Sequence, residues 1–423
     1  MSDPRRPNIL MAAFDALSAT SLKKHLSDLP VLADLYGASS VYEYAYSPNP
    51  ESGPARSSLF TGLDPCVHGV WTDGVALPAC EQTLPQRLAR GGYNTWLFGR
   101  RQLSGLSHWT TEPMRPDEYS LSEWAHGPLH RSRQNAYLNW LQQVAGEAYD
   151  TIFPLQANPD DTAIPPEQYQ AMADLDNELS FNHWTGQRIG QTITNALDDE
   201  PFLCIAGFVV GESMGAKPPQ DYCGEALNLR SLQQADNALS HITACLAAAG
   251  SDRDTVIVVT AARGNASGND SEPALTENQI RVPLFVRLPA GDRTVTEAPV
   301  STIDLAPTLL ELAQLPLPPR LQGNSLLADA LPRGWALSRQ RSEHHGWHSA
   351  LLIENWKLVV SHGSPQTDSP PSYRLYNLAV DPHEKNNLAS KEQHAEQLED
   401  MIDKLIDARC ALEDRTEPRI AKF

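Results

Sequence analysis

The sequence contains no CxxC pair. Its six cysteines, Cys66, Cys80, Cys204, Cys223, Cys245 and Cys410, are scattered along the chain. That spacing argues against a metal cluster and against the disulfide framework of a small secreted domain, so the thiols are read as reduced. Long apolar runs are missing as well. The opening MSDPRRPNILMAAFDALS holds only about seven apolar residues in a row before Asp15, too few for a membrane span and wrongly flanked for a secretory signal. The expectation is a cytoplasmic chain with no membrane contact, in which the sequons at Asn265 and Asn269 are silent. Positive charge is scarce: 33 Lys and Arg face 52 Asp and Glu, a formal charge of -19, and no basic patch interrupts the acidic background. A nucleic-acid backbone would be repelled, which removes nucleic acid from the expected partners.

What is present is the composition of an ordinary globular protein. Hydrophobic residues make up 41% and charged residues 20% of the 423, enough for a large core. The run PNILMAAF, ending at Asp15, suits a strand buried on both faces of a parallel sheet. TLPQRLARGGY followed by NTWLFG reads as helix, glycine stop and strand, and the rhythm returns twice, in HWTGQRIGQTITNALDDEP with FLCIAGFVVG and in SLQQADNALSHITACLAAAGSDRD with TVIVVTAARG. Such alternation predicts an α/β fold, a large mainly parallel sheet flanked by helices. In these sheets ligands sit beyond the carboxyl ends of the strands, which singles out Asp15, Arg100 to Gln102, Val210 to Ser213 and Ala261 to Arg263. Residues 106–175, rich in Pro, Trp, His and Gln, read as an irregular excursion over the sheet edge. After the helix IDLAPTLLELAQL the pattern changes to antiparallel strands, SALLIENWKLVVSHG and SYRLYNLAVDP, and a helix over about 391 to 412. The division expected is an α/β domain over 1–330 and a small C-terminal α+β domain with an antiparallel sheet over 331–423.

The pieces RPNILMAAFDAL, SGPARSSLFTGLDPCVHGV, TLPQRLARGGYNTWLFGR, DTVIVVTAARG, IRVPLFVRLPA, STIDLAPTLLELA with LQGNSLL, and RLYNLAVDPHEKNNL follow one another in the order and spacing of one family. In them the chain resembles the sulfatase family of the alkaline phosphatase superfamily, nearest the branch of phosphonate monoester hydrolases and related arylsulfatases. Members carry Cys or Ser in a C/S-x-P-x-R motif, oxidised to formylglycine, whose hydrate attacks a sulfate ester polarised by a divalent cation. Ser52-Gly53-Pro54-Ala55-Arg56 matches the serine form, so the resemblance puts Ser52 at the nucleophile position with Arg56 to orient it. Read alone, a serine there is an ordinary N-cap of the helix that follows.

Elsewhere the chain departs from that pattern. The family's Asp pair after the first strand is Asp15-Ala16 here, and its Asp followed by His or Asn after the later strand is Ala262-Arg263. A methyl group coordinates nothing, and a guanidinium carries donors only. Arg100 and Gln102 stand where the family has a lysine and a histidine, Glu212 near another histidine, and Glu272 near a further lysine. The resulting expectation is a dismantled metal centre: a residual ligand position at Asp15, no cofactor, and an arginine-lined anion pocket formed by Ser52, Arg56, Arg100 and Arg263. The protein would then be a pseudoenzyme that binds a small anionic ligand, a sulfate or phosphate ester, or a protein partner. The alternative is a working ester hydrolase with Ser52 as nucleophile, a Ca²⁺ or Mn²⁺ ion, and a site rebuilt from Asp15, Glu212 and Asp270; transfer to an acceptor other than water is a third reading. Ser52 is expected to remain unmodified serine, and Arg263 to take the place of the cation beside Asp15. His344, His345 and His348 are read as exposed or capping rather than as a metal cluster, His68 as structural, and Asp381 and Asn387 as turn and cap residues. Ligand identity and oligomeric state, a homo-oligomer included, stay open.

Overall fold

Nine residues, Asn8–Ala16, form strand β1, and from Ile9 onward every one is buried. No alternation of polar and apolar residues is needed in a strand covered on both sides, which explains its continuous apolar run. The computed structural model describes residues 6–101, 103, 115–125, 135–153, 166–196, 200–210, 225–265, 275–289, 293–327, 333–342, 346–363 and 370–413. Within them the strands that follow are β2 (Ser40–Tyr42), β3 (Ala45–Tyr46), β4 (Asn94–Arg100), β5 (Leu121–Ala125), β6 (Phe202–Phe208), β7 (Thr255–Arg263), β8 (Arg281–Val282), β9 (Leu284–Arg287), β10 (Val295–Thr296), β11 (Val300–Ser301), β12 (Trp335–Ser342), β13 (Gly346–Ile353), β14 (Trp356–Ser361) and β15 (Ser372–Asn377).

The large sheet has eight strands in the order β10-β2-β9-β7-β1-β6-β4-β5. β1 lies parallel to both β6 and β7, and β4 lies parallel to β6 and β5. Asp15, Arg100 and Arg263 therefore arrive at one end of the sheet, where β1 runs in register with β7 to the pair Ala16 and Arg263. The helices that cover the sheet begin and end where local chemistry dictates. In Leu84–Arg90, Thr83 and Gln86 form a reciprocal capping box ahead of Pro85, and the chain leaves through Gly91 and Gly92 into β4.

Residues 106–175 depart from the irregular excursion the sequence implied. Among the described ones, β5 adds an edge strand, and the helices Ala136–Val144, Gly146–Ile152 and Pro166–Ala173 enclose a core of their own around Tyr137, Leu141, Ile152 and Met172, closed by Phe181 and Trp184. Short helices with mixed composition carry too few periodic positions to stand out in the sequence.

The small sheet, β12-β13-β14-β15, is antiparallel throughout. One face carries Leu337, Leu351, Leu358 and Leu375 against Met401 and Leu405 of the C-terminal helix Ala395–Glu413. The other packs Ala350, Leu352 and Val359 on Tyr46 and Ile280 of the larger part. Lys357, fully buried, reaches across to Glu277 at 3.0 Å and Glu384 at 2.8 Å. The loop before Ser52 is tied to β12 by Ser338 Oγ donating to Ser47 O, Arg339 N to Pro48 O, and Asn49 Nδ2 to Arg339 O.

Gly99 and Gly207 sit opposite each other on β4 and β6, directly below Arg100. Gly99 has φ +88°, and a Cβ there would lie 2.2 Å from the Gly207 carbonyl oxygen. Only glycine allows that approach. Gly99→Ala is expected to lower stability by about 3 kcal/mol, read as a fall in the urea midpoint, and a loss under about 0.5 kcal/mol would contradict the packing described.

Candidate functional site

Ser52 opens the helix Ser52–Thr61, whose ten residues are all buried, with Gly62 at φ +68° closing it. The cap position belongs to Glu51, which makes no side-chain cap bond, so Ser52 is not the N-cap that an isolated reading of the segment would suggest. Its hydroxyl turns into the sheet end instead, where Arg263 Nε donates to Ser52 Oγ at 2.9 Å. One turn further along the helix, Arg56 Nη2 donates to Asp15 Oδ1 at 2.7 Å. Arg100 Nη1 stands 3.1 Å from Asp15 Oδ2. Asp15 is 1% exposed.

Burial is the largest influence on the Asp15 carboxyl and acts to raise its pKa. The positive charges of Arg100, Arg56 and Arg263, with the Ser52 hydroxyl, overcome it and leave the group below the ordinary carboxylate value. Burial in turn pulls Arg100 down to about 10, against the attraction of Asp15 and with the repulsion of Arg56 and Arg263 added. Asp15 is thus a bound counter-ion, and a weak base.

The sequence placed Arg263 beside Asp15 as the substitute for a cation. Arg56 and Arg100 make ion pairs to Asp15, while Arg263 contributes charge from nearby and directs hydrogen bonds to Ser52 and to the Gly264 carbonyl. The helix register accounts for this: Arg56, four residues after Ser52, is carried to β1, and Arg263, at the very end of β7, meets the helix tip first.

Among the described residues the donor set does not fit a divalent cation. Asp15 offers its two oxygens to two guanidinium groups, Ala262 is a buried methyl, and among the described residues no cluster of three His, Cys, Asp or Glu stands ready to hold a metal. Gln102, Glu212, Asp270 and Glu272 lie outside the described residues, as do His344 and His345. His348 corrects an expectation: it is buried, with Nδ1 2.9 Å from Ser361 Oγ, because its position on β13 faces inward between two strands. His68 bonds Ser58 Oγ through Nε2 and accepts from the Val70 amide at Nδ1, and burial holds it down at about 4, so it is a neutral brace for the helix. Asp381 accepts from the amides of Lys385 and Asn386, and Asn387 Oδ1 from those of Leu375 and Ala389, which is turn and cap chemistry.

Two residues at the site escaped the sequence reading. Asp73 Oδ1 accepts from the Gly53 amide at 2.6 Å, and the Asp73 amide donates to Glu51 Oε2 at 2.9 Å. No spacing rule links position 73 to position 52, although Glu51, adjoining Ser52, was open to notice. Burial pushes the Glu51 carboxyl up to about 6; the Asp73 amide and the Gln340 side chain oppose this and the Asp73 charge adds to it.

That shift has a testable sign. The folded value lies above the ordinary 4.5, so ionised Glu51 carries an energetic penalty that is complete above about pH 6 and gone below pH 4.5. Glu51→Gln should therefore stabilise the protein above pH 6, on the order of 1 kcal/mol after solvent screening, and leave it unchanged near pH 4. Thermal melts at both pH values check this; an equal gain at both, or a loss at neutral pH, would refute it.

Known proteins place this geometry in context. Among solved structures, the phosphonate monoester hydrolase of Silicibacter pomeroyi superposes with TM-score 0.76 at 18% identity, over 98% of this chain and 97% of that one. The phosphonate monoester hydrolase of Agrobacterium radiobacter gives 0.74 at 18% identity, with 96% of each chain covered. At such identity the likeness is one of fold. By sequence, the uncharacterized sulfatase YidJ of Escherichia coli K12 is 24% identical over 97% of this chain and 88% of its own length, and the ulvan-active sulfatase of Formosa agariphila is 23% identical over 97% and 82%. The C-terminal part, residues 272–411, matches the family described as N-sulphoglucosamine sulphohydrolase, C-terminal. The family described as sulfatase matches residues 9–315, from the first buried strand through Ser52 and Arg263 to the last helix of the large part, and it is to the sulfatase family that this chain belongs.

Proposed function

We propose that the protein binds a tetrahedral oxyanion, a sulfate or phosphate ester, at the guanidinium groups around Ser52, and that it does so without a divalent cation and as a binding protein rather than a catalyst. The observation that carries this reading is the engagement of both Asp15 oxygens by Arg56 and Arg100, with Arg263 donating to the Ser52 hydroxyl. The ligand class follows from the chemistry of the site. Guanidinium groups match the oxygens of sulfate and phosphate with paired N–H donors, and a helix N-terminus adds favourable potential for an anion. It is also the class implied by the names of the relatives, sulfatases and phosphonate monoester hydrolases.

The binding role follows from the state of Ser52. A serine attacks an ester only when a base takes its proton. Arg263 donates to the hydroxyl and cannot accept, and Asp15, which takes a hydrogen bond from the same hydroxyl, is held below the usual carboxylate range and is too weak a base to remove its proton. Membership of a hydrolase family favours one second reading, in which Ser52 is the nucleophile of a working esterase.

Calorimetric titration with phenyl sulfate and phenyl phosphate separates the two. Saturable binding without turnover is expected, and Arg263→Ala should weaken it about tenfold, the worth of one charge-assisted contact. The Arg263 side chain is only half-buried and the ion pairs of Arg56 and Arg100 with Asp15 remain, so the variant should still fold, with a small fall in melting temperature. Affinity independent of Arg263, or repeated turnover, would overturn the reading. Intact-mass measurement of the peptide around Ser52 should give unmodified serine; the loss of a pair of hydrogens, which marks formylglycine, would favour the hydrolase.

A further inference from the structure

Asp73 stands where an incoming anion would meet the helix. Its Oδ1 accepts from the amide of Gly53, the residue after Ser52, and its charge is felt by Arg100, which pairs with Asp15 beneath. The backbone is held in place by the bond from its own amide to Glu51, which sits at the helix cap. The side chain is exposed, so it marks the mouth of the site rather than its floor. A carboxylate only accepts hydrogen bonds. Next to an oxyanion that also only accepts, it leaves two acceptors facing each other with no proton between them, and their charges repel. Next to an oxyanion that carries a proton, it receives a hydrogen bond.

We propose that Asp73 is the specificity-determining residue of the anion site, selecting a protonated phosphorus oxyanion, the monoanion of a phosphonic acid or of a phosphate monoester, over the corresponding sulfur oxyanion. This rests on the reading that the guanidinium groups around Ser52 bind an oxyanion, and it adds which one. The two ligand classes have the same shape and, when the phosphorus acid keeps its second proton, the same charge. They differ in one respect that the site can detect: the P–OH group is a donor, whereas a sulfonate or sulfate monoester has no proton to give. The second ionisation of phosphate monoesters and phosphonic acids falls close to neutrality, so the selection should fade as pH rises and the ligand becomes a dianion.

The probes are phenylphosphonate and benzenesulfonate, whose C–P and C–S bonds resist hydrolysis. Each is titrated into the full chain by calorimetry at about pH 5 and about pH 8, on either side of the second phosphonate ionisation. The charged groups facing the ligand are Asp15 on β1, Glu51 and Arg56 on the Ser52 segment, Asp73, Arg100 on β4 and Arg263 on β7. Of these, Glu51 changes charge over the range; at about pH 5 both probes are monoanions and it acts on them alike, so the ratio of the two affinities at that pH is the quantity read first.

Phenylphosphonate should bind about tenfold more tightly than benzenesulfonate at the lower pH, and the ratio should shrink at the higher one. Asp73→Asn keeps the size and supplies a donor, so it should raise benzenesulfonate affinity and bring the ratio near one at both pH values. A ratio near one in the unsubstituted protein, or a ratio that Asp73→Asn leaves unchanged, overturns the role of Asp73 while Arg263-dependent binding of both probes leaves the anion site standing. No binding of either probe overturns both. The pH dependence of the ratio is measured on the unsubstituted chain, so the test does not depend on the variant folding.

Discussion

A carboxylate at the end of a central strand, 1% exposed, sets the terms for everything around it. Asp15 cannot remain ionised there without compensation, because desolvating an unpaired carboxylate costs several kcal/mol. The chain supplies that compensation from three directions. Arg56 comes from the helix that Ser52 opens, Arg100 from β4, and Arg263 adds its charge from the end of β7. Each demands its own framing: Gly99 and Gly207 let β4 close on β6, and the loop before Ser52 is fastened to β12 by bonds at Ser47, Pro48 and Asn49.

Ion pairs buried in this way roughly break even against well-packed apolar side chains, so stability alone gives little reason to keep them. Their consequence is electrostatic. Around Ser52 the described guanidinium groups of Arg56, Arg100 and Arg263 face the carboxyls of Asp15, Glu51 and Asp73, and the balance between them is close enough that a single proton on Glu51 tips it towards positive. In the binding role proposed, a site of that kind would hold an anion by arranged hydrogen bonds rather than by surplus charge, in keeping with a chain whose formal charge is -19.

The fold was legible because its signals are long. Continuous apolar runs at β1, β6 and β7, each preceded or followed by a helix with clear stops, determine a parallel sheet, and that sheet brings Asp15, Arg100 and Arg263 to one end. The pairing within the site was less legible. Which arginine reaches Asp15 depends on the rotation of the Ser52–Thr61 helix and on the order of β4 and β7 around β1 in the sheet, neither of which leaves a local trace. Asp73 was invisible for a related reason: it stands in a loop, and its bond to Gly53 is a tertiary contact. The helices between Ala136 and Ala173 were missed because each is short, with its apolar face completed only by Phe181 and Trp184.

In the proposed binding mode, guanidinium groups hold the anion in place of a metal. The most direct test is to measure sulfate-ester or phosphonate affinity after exhaustive chelation and again with added Mn²⁺ or Ca²⁺. The dissociation constant should be the same in both conditions, with no stoichiometric metal in the purified protein. Binding that vanishes with chelator and returns with the cation would contradict it, and would show that residues beyond those described complete a metal centre at Asp15.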